Sequence, residues 1–325
     1  MTAHHRYRLA LVAVASAMIL DALCGLRASA QTPSTVKIVV PYPPASGPDI
    51  LSRLMAEEIG RTQGPTVVVE NRPGGGTVIG TEAVARAAPD GATVLLVANS
   101  FVVNPALKKQ NYDVSTSFEP VCYLAATPIV LVVNGASPYR TLADLVAAAR
   151  AKPGELAVAG APASSLQVVY EVIKRAANVD MTFVPYPGTA PAMNALLGGH
   201  VSAVVADYPT VVAQLQSGSL RGLVTASPTR VELLPDVPTL AETGMSKYEA
   251  NIFYGIVAPA KTPPDAIAHL VGWFSAALKP ADMKPKLARQ GLVPVGTCGT
   301  EFGDYMRKQV DEYGRVVREA NIKVE

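Results

Sequence analysis

The stretch that decides the fold is Val36-Lys37-Ile38-Val39-Val40-Pro41-Tyr42, followed by a proline-rich turn and a helical pattern. Residues 36–40 are β-branched apart from Lys37, and Pro41 ends the predicted strand. From Asp49 to Arg61, apolar residues recur at the spacing of an amphipathic helix. This order of strand, turn and helix predicts an α/β protein.

Strand and helix patterns alternate along most of the remaining chain, which favours parallel sheets with helices on both faces. No linker rich in Gly, Ser or Pro separates the predicted units, and the segments near 123–127 and 250–254 have the composition of strands. We therefore expect two α/β lobes, each a mainly parallel sheet flanked by helices, with a ligand cleft between them that closes by a hinge. The predicted first lobe comprises residues 31–125 and 254–325, and the second comprises 126–253.

The N-terminus has the three parts of a secretory signal peptide. A basic start precedes the apolar run from Leu9 to Leu20, and Ala28-Ser29-Ala30 is a small-x-small cleavage site. The run is too short to cross a bilayer. We predict that residues 1–30 are removed and that the mature protein is soluble and exported and starts near Gln31; the alternative is a buried N-terminal helix.

The charge balance bears on the class of partner. The chain has 28 Lys and Arg and 26 Asp and Glu residues, and the predicted signal peptide contains three of the bases and one of the acids. The mature chain therefore carries no net charge on these residues. Nucleic acids bind largely through neutralisation of phosphates by basic side chains, so we expect no nucleic-acid partner.

Two cysteines remain after the predicted cleavage, Cys122 and Cys298. An oxidising compartment permits a disulfide between them. The sequence leaves open whether they pair or are two small buried thiols.

The sequence lacks the motifs by which common catalytic sites are recognised. It contains no G-x-S-x-G, H-E-x-x-H or C-x-x-C pattern, and the glycines at 74–76 and 80 fit neither nucleotide-binding spacing. Only His200 and His269 remain in the mature chain, and general acid–base catalysis needs positioned partners. We therefore predict a binding protein rather than an enzyme, with no catalytic residues, no metal site and no cofactor.

Two turns between a strand and a helix have the composition of anion sites. One runs from Pro43 to Asp49 and includes Ser46; the other runs from Gly160 to Ser165. Helix N-termini present free N–H groups and about half a positive charge, so they hold carboxylates without Arg or Lys. For Ser164, capping of its own helix is the favoured alternative to ligand contact.

Three further positions are expected at the same edge, because ligands bind at the carboxyl ends of parallel strands. Asn99 and Ser100 follow the third strand, Thr189 follows a later one, and Asp207 follows the strand at 201–205. Asp207 is either an N-cap ahead of Pro209 or an acceptor that faces the cleft. For Asp49, a favourable interaction with the helix dipole is preferred over a place in the cleft.

The mature chain resembles the Bug family, the extracytoplasmic solute receptors of tripartite tricarboxylate transporters. The resemblance covers essentially the whole mature chain. It is carried by these segments: Ile38-Val39-Val40-Pro41-Tyr42 with Asp49 and Arg53; Val69-Glu70-Asn71-Arg72-Pro73-Gly74 through Ile79-Gly80; Pro89-Asp90-Gly91; Asn104-Pro105; Phe118-Glu119-Pro120; Val184-Pro185-Tyr186; Leu197-Gly198-Gly199; and Leu234-Pro235-Asp236-Val237-Pro238.

The resemblance implies a two-lobed periplasmic binding protein of type II that closes on a small carboxylate and delivers it to membrane permease subunits. A sensory receptor that presents its ligand to a membrane kinase, and an enzyme on the same scaffold, are the alternatives. We expect a monomer. The residues expected to bind the ligand are Tyr42, Ala45, Ser46, Asn99, Ser100, Ala161, Ser164, Ser165, Thr189 and Asp207.

The chain departs from the family pattern at its two anion turns. Where the family has glycines, this chain has Ala45-Ser46 in the first turn and Ala161 and Ala163 in the second. Glycine lets the backbone approach a ligand closely. The added methyl groups predict a narrower, drier pocket and an atypical ligand, or a larger role for serine hydroxyls.

Overall fold

The structure is a computed structural model that describes residues 33–44, 46–162, 164–232, 234–245 and 250–319. The predicted signal peptide lies outside the described residues, as do the turn positions Ala45 and Ala163. In the part of the chain that is described, no helix combines the length and the hydropathy needed to span a bilayer.

Strands and helices alternate over most of the described chain. The strands are β1 (Thr35–Val40), β2 (Thr66–Asn71), β3 (Thr93–Val97), β4 (Phe118–Asn134), β5 (Ala157–Gly160), β6 (Thr182–Pro185), β7 (Ala203–Asp207), β8 (Leu220–Thr225), β9 (Asn251–Pro259) and β10 (Val293–Cys298). The α-helices are α1 (Gly47–Thr62), α2 (Val78–Ala85), α3 (Asn99–Leu107), α4 (Leu142–Ala151), α5 (Ser165–Ala177), α6 (Thr189–Leu197), α7 (Tyr208–Gln216), α8 (Pro264–Ala277), α9 (Met283–Arg289) and α10 (Thr300–Glu319).

The long strand β4 belongs to two sheets. Its residues 118–128 pair with β9 and β10 in the first sheet, whose order is β2-β1-β3-β9-β4-β10. Its residues 129–134 pair with β7 and β8 in the second sheet, whose order is β8-β4-β7-β5-β6. The chain thus passes from one sheet to the other within a single strand. The predicted domain boundaries remain a prediction.

The prediction of mainly parallel sheets is confirmed for only part of each sheet. The runs β2-β1-β3 and β6-β5-β7 are parallel. The strands β4, β8, β9 and β10 pair antiparallel with their neighbours. The difference follows from β4 and β9, because a chain that crosses between sheets and returns must run in opposite directions in the two crossings.

Helices cover both faces of each sheet, as the continuous apolar strands predict. In β1, Ile38 packs into one core with Leu51 of α1 and Phe274 of α8. Its neighbour Val39 points the other way, into a core with Phe101 and Phe302. Since successive side chains of a strand alternate between faces, burial of both neighbours requires a helical layer on each side.

A capping box marks the start of α4, a helix of the second sheet. The side chain of Thr141 accepts a hydrogen bond from the backbone N–H of Asp144, and the Asp144 carboxylate accepts one from the N–H of Thr141. The sequence pattern predicts a helix from Thr141 to Ala151 that is capped by Thr141, and this capping box confirms the cap.

Two elements differ from the sequence prediction. The residues after β3 were expected to form a turn, but they begin α3, a buried helix that contains Pro105. Its apolar residues do not follow the spacing of an amphipathic helix, because most of its surface is covered. The sequence pattern from Thr81 to Ala88 predicts a helix. The helix begins earlier, at Val78, because the turn at Gly75–Thr77 is a 3-10 helix that leads into it.

The two mature cysteines form a disulfide. Cys122 of β4 and Cys298 of β10 are register partners in the antiparallel pair, and their Cα atoms are 3.9 Å apart. The structure thereby selects one of the two alternatives that the sequence left open. The bond holds the edge strand β10 to β4 across 176 residues of chain.

Reduction of this disulfide is expected to lower the free energy of unfolding by about 2–5 kcal/mol, because it frees a long closed loop in the unfolded chain. Urea denaturation with and without a reductant measures the difference, with a Cys122→Ser, Cys298→Ser double variant as the matched control. Equal stability of the oxidised and reduced proteins would contradict the prediction, as would two free thiols in the unreduced protein.

Candidate functional site

Every described candidate residue lies at or just after the carboxyl end of a parallel strand. Tyr42 and Ser46 follow β1, and Asn99 and Ser100 follow β3. In the second sheet, the remaining candidates follow or end neighbouring strands: Ala161, Ser164 and Ser165 after β5, Thr189 after β6, and Asp207 at the end of β7. The carboxyl ends of neighbouring parallel strands share one edge of a sheet, which is where α/β proteins place their ligands.

Hydroxyl groups cluster at this edge of the first sheet. The Tyr42 hydroxyl and the Ser100 Oγ are hydrogen-bonded at 2.6 Å, and the Thr77 Oγ1 donates to the same Ser100 oxygen at 3.1 Å. Burial raises the pKa of Tyr42 to about 12, so its hydroxyl keeps its proton at physiological pH. Sequence reasoning missed Thr77; the only local signal was the preceding run of three glycines.

Ser46 takes the N-cap position of α1 but does not cap the helix. Its Oγ donates to the carbonyl of Pro43 at 2.6 Å, and its side chain accepts no hydrogen bond from the first turn. The first N–H groups of a helix have no partners within the helix. The start of α1 therefore keeps the property that makes helix N-termini suitable for anions.

Tyr254 of β9 lies beside the start of α1. A Cβ atom added at Gly47, the first residue of α1, would lie 3.2 Å from the Tyr254 hydroxyl. Burial raises the pKa of Tyr254 well above its ordinary value, and the neighbouring Asp207 carboxylate and Tyr42 hydroxyl raise it further. No local pattern singled out Tyr254, because it is one of two adjacent aromatic residues in an apolar strand.

Ser164 caps α5, which confirms the interpretation that the sequence favoured over ligand contact. Its Oγ accepts a hydrogen bond from the N–H of Leu166 at 3.2 Å and donates to the carbonyl of Ala161 at 2.7 Å. Ser165 is buried. Ala161 is half-buried and packs against the core of the second sheet. Ser164 thus connects Ala161 to the first turn of α5 through its own hydrogen bonds.

Asp207 accepts hydrogen bonds from two threonines. The Thr189 Oγ1 donates to one carboxylate oxygen, and the Thr210 Oγ1 donates to the other at 2.5 Å. The carboxylate occupies the N-cap position of α7 but makes no capping hydrogen bond. Sequence reasoning missed Thr210, although its place in the first turn of α7, three residues after the N-cap candidate Asp207, was a usable signal.

Asn99 has a structural role that the sequence did not predict. Its Nδ2 donates to the carbonyl of Asn251 at 2.9 Å and to the Tyr313 hydroxyl at 2.6 Å, and its Oδ1 accepts from the N–H of Phe253 at 2.8 Å. Both Nδ2 protons are used within the protein. Asn99 therefore joins the start of α3 to β9 and α10.

Asp49 lies in the first turn of α1 and is buried. It forms an ion pair with Arg53 at 3.0 Å and accepts a hydrogen bond from Asn71 at 2.9 Å. Asn71 also donates to the carbonyl of Tyr42 at 3.2 Å, so this network positions the backbone of the first turn.

A large groove lies apart from these residues. It has a volume of about 1100 Å³, lies among α5, α10, β10 and the segment 227–232, and is lined by none of the candidate residues. Four of its five lysine and arginine residues are paired with acids: Arg230 with Glu242, Lys284 with Glu232, Lys308 with Glu312, and Arg315 with Glu319. Because these charges are compensated, we place the candidate site at the strand ends.

Replacement of Asn99 by alanine is expected to lower the free energy of unfolding by about 2–4 kcal/mol, because it leaves buried partners without hydrogen bonds. Chemical denaturation measures the change. The exposed Asn111, whose side chain donates only to Glu82, provides the control: Asn111→Ala should cost less than about 0.5 kcal/mol. Similar losses of unfolding free energy in the two variants would refute the structural role assigned to Asn99.

Known proteins similar to this chain cover nearly its whole length. Residues 51–322 match the model of the tripartite tricarboxylate transporter family receptor. Protein BugT of Bordetella pertussis is 33% identical over 293 residues, which are 89% of this chain and 90% of that protein.

Solved structures of similar proteins share the fold. The periplasmic binding protein BugD is 30% identical with a TM-score of 0.77, covering 90% of this chain and 99% of that one. MatC from Rhodopseudomonas palustris with bound malate is 29% identical with a TM-score of 0.75, covering 87% and 98%. R. palustris Rpa4515 with adipate is 28% identical with a TM-score of 0.79, covering 89% and 98%.

The family match, the relatives and the fold agree with the resemblance that the sequence motifs carry. The two-lobed α/β fold of the periplasmic binding proteins is confirmed, with sheets of mixed direction. The relatives are receptors and binding proteins. This chain belongs to the tripartite tricarboxylate transporter receptor family and is a solute-binding protein of the Bug type.

Proposed function

We propose that the mature protein captures a small organic carboxylate at the strand ends of its two sheets, in the periplasm, and delivers it to the permease subunits of a tripartite tricarboxylate-type transporter. The observation that carries the proposal is the family membership, together with the malate and adipate in the structures of MatC and Rpa4515. Binding without chemistry is part of the proposal.

The first sheet offers neutral groups suited to a carboxylate. The hydroxyls of Tyr42, Thr77 and Ser100 lie together, and the start of α1 adds free backbone N–H groups and the positive end of a helix dipole. The Tyr42 phenol stays protonated because burial raises its pKa to about 12, so it remains able to donate a hydrogen bond.

The second sheet offers the other half of the proposed site. The turn from Gly160 to Ser165 and the hydroxyls of Thr189 and Thr210 lie at the ends of neighbouring parallel strands. Ala161 and Ala163 stand where family members have glycine, so we propose that direct hydroxyl contacts replace part of the close backbone approach.

Capture by two lobes sets an energetic condition. Micromolar binding corresponds to about 8 kcal/mol. Only the difference between the ligand's affinities for the closed and the open form drives a hinge. A ligand that contacts both sheets meets this condition, and the proximity of Tyr254 and Asp207 supports a site where both sheets contribute.

Titration calorimetry of the mature protein against a panel of small mono-, di- and tricarboxylates tests the proposal. We expect at least one carboxylate to bind with micromolar or tighter affinity, and Ser46→Phe to weaken that binding at least about tenfold because the larger side chain fills the site. Subcellular fractionation should place the protein in the periplasm.

Ser275 of α8 provides a matched control, since its Oγ donates to the carbonyl three residues earlier, as that of Ser46 does. Ser275→Phe should leave the affinity and the melting temperature unchanged. Absence of binding across the whole panel would refute the proposed function. Equal affinities of the wild type and the folded Ser46→Phe variant would refute the location of the site.

A further inference from the structure

The large groove that lies apart from the strand ends is lined by elements of both sheets. Its lining comes from α10 and β10 on the side of the first sheet, and from α5 and the segment 227–232 on the side of the second. Pro128 of β4 and Asn251 of β9, which are register partners where the chain passes between the sheets, also line it. Pockets for small organic ligands commonly have volumes of about 300–1,000 Å³. The groove, at about 1100 Å³, has room for such a molecule.

The groove exposes apolar surface to solvent. Among the described residues, five large apolar side chains are exposed, and two of the five, Val293 and Val295 of β10, line the groove with exposed fractions of 39% and 43%. Val172 of α5 and Pro294 of β10 add half-buried apolar surface to the same lining. Exposed apolar surface is unfavourable in water, and where it is gathered in one place it commonly marks a binding site.

Aromatic rings are part of this lining. Tyr305 of α10 is half-buried, and the centre of its ring lies 4.8 Å from that of Tyr123 and 5.5 Å from that of Phe253. Both tyrosines line the groove. Burial raises the pKa of Tyr123 to about 12 and that of Tyr305 well above its ordinary value, so both phenols are uncharged at physiological pH. The Tyr305 ring therefore offers an uncharged, positioned surface on which another aromatic ring can pack.

The charged side chains of the groove already have partners within the protein. Four of its five basic residues are paired with acids, and these pairs include the three acids of the lining, Glu232, Glu312 and Glu319. The fifth base, Arg175, donates from Nη2 to the backbone carbonyl of Glu319, and Glu171 lies one helical turn before it. An ionic ligand would compete with these pairs and would lose hydration beside apolar surface. The charge balance therefore favours an uncharged ligand.

Gln309 of α10 supplies a polar group to the groove. It is only 8% exposed, and its Nε2 donates a hydrogen bond to Glu312 at 3.4 Å. In the described part of the chain, the structure gives its side chain no second hydrogen bond. The Oε1 atom can therefore accept a hydrogen bond from a ligand.

We propose that this groove is a second ligand site, which binds an uncharged aromatic molecule that carries a hydrogen-bond donor. The aromatic ring packs on Tyr305 and on the exposed valines of β10, and the donor binds the Oε1 of Gln309. The groove shares no lining residue with the candidates at the strand ends, so the second site is independent of the proposed carboxylate site.

Fluorescence titration of the mature protein with N-phenyl-1-naphthylamine tests the second site. This probe is an uncharged aromatic amine with one N–H donor, and its emission increases in apolar surroundings. We expect one probe molecule to bind per protein molecule with micromolar affinity. Ala176 is an exposed residue of α5 that lines the groove, and Ala176→Trp should weaken binding at least about tenfold because the indole fills the space. Tyr305→Leu and Gln309→Leu should each weaken it about threefold or more, because they remove the ring contact and the acceptor.

Matched substitutions outside the groove provide the controls. Ala147 is an exposed residue of α4, and Tyr139 is a half-buried tyrosine; neither lines the groove. Ala147→Trp and Tyr139→Leu should bind the probe as the wild type does, and so should Ser46→Phe, which alters the strand-end site. Thermal melting followed by circular dichroism shows which variants are folded.

Four outcomes would overturn the second site. The first is that the wild type binds no probe, and the second is that the folded Ala176→Trp variant binds it as tightly as the wild type. The third is a loss of probe binding in Ser46→Phe, which would place the probe at the strand ends. The fourth is binding that appears only after residues 320–325, which follow Glu319 of the lining, are deleted, or only after a dimer seen by size-exclusion chromatography dissociates. The groove would then be covered by the protein itself. If Tyr305→Leu or Gln309→Leu does not fold, the exposed position of Ala176 still decides.

Discussion

The antiparallel pairing of β4 with β9 is the constraint on which the rest of the structure depends. β4 gives its first part to one sheet and its last part to the other, and β9 begins at Asn251, opposite Pro128, where β4 passes between them. Both sheets are thus built on one continuous strand. This arrangement brings the strand ends after β1 and β3 to the same boundary as those after β5, β6 and β7. The proposed site depends on this shared strand, because the strand connects the two sheets that carry the two sets of neutral turns.

The crossing is braced by a polar network that reaches the proposed site. Asn99 holds Asn251 and Phe253 of β9, and the Ser227 Oγ donates to the Oδ1 of Asn251 at 2.7 Å. The next residue after Asn99 is Ser100, which is hydrogen-bonded to Tyr42. The Asn99 side chain therefore stabilises the position of β9, and the neighbouring Ser100 belongs to the proposed site. Ser100, which is bonded to Tyr42, and Asn99, which is bonded to β9, thus lie next to each other in the first turn of α3.

The electrostatics of the site follow from its backbone. Several helices begin at the same edge, and their N-termini supply positive potential without a basic side chain. An Arg or Lys side chain would also attract anions, but with less dependence on their shape. Fixed N–H groups and hydroxyls bind well only to a ligand whose acceptor atoms match their positions. The Asp207 carboxylate accepts hydrogen bonds from the hydroxyls of Thr189 and Thr210. For the proposed site, we therefore expect selectivity through the geometry of fixed donors and acceptors.

The sequence by itself determined the features that arise from neighbouring residues. The strand at 36–40, the cap at Thr141 and the capping hydrogen bond of Ser164 follow from local periodicity and from side chains that bond within three residues. The family motifs added the fold and the expected ligand class. Tertiary structure alone decided the pairing of Cys122 with Cys298, the buried helix α3, the bracing by Asn99 and the entry of Thr77, Thr210 and Tyr254 into the site. The physical reason is distance along the chain: most of these contacts join residues far apart in sequence, so no short pattern records them, and they exist only once the strands have found their partners.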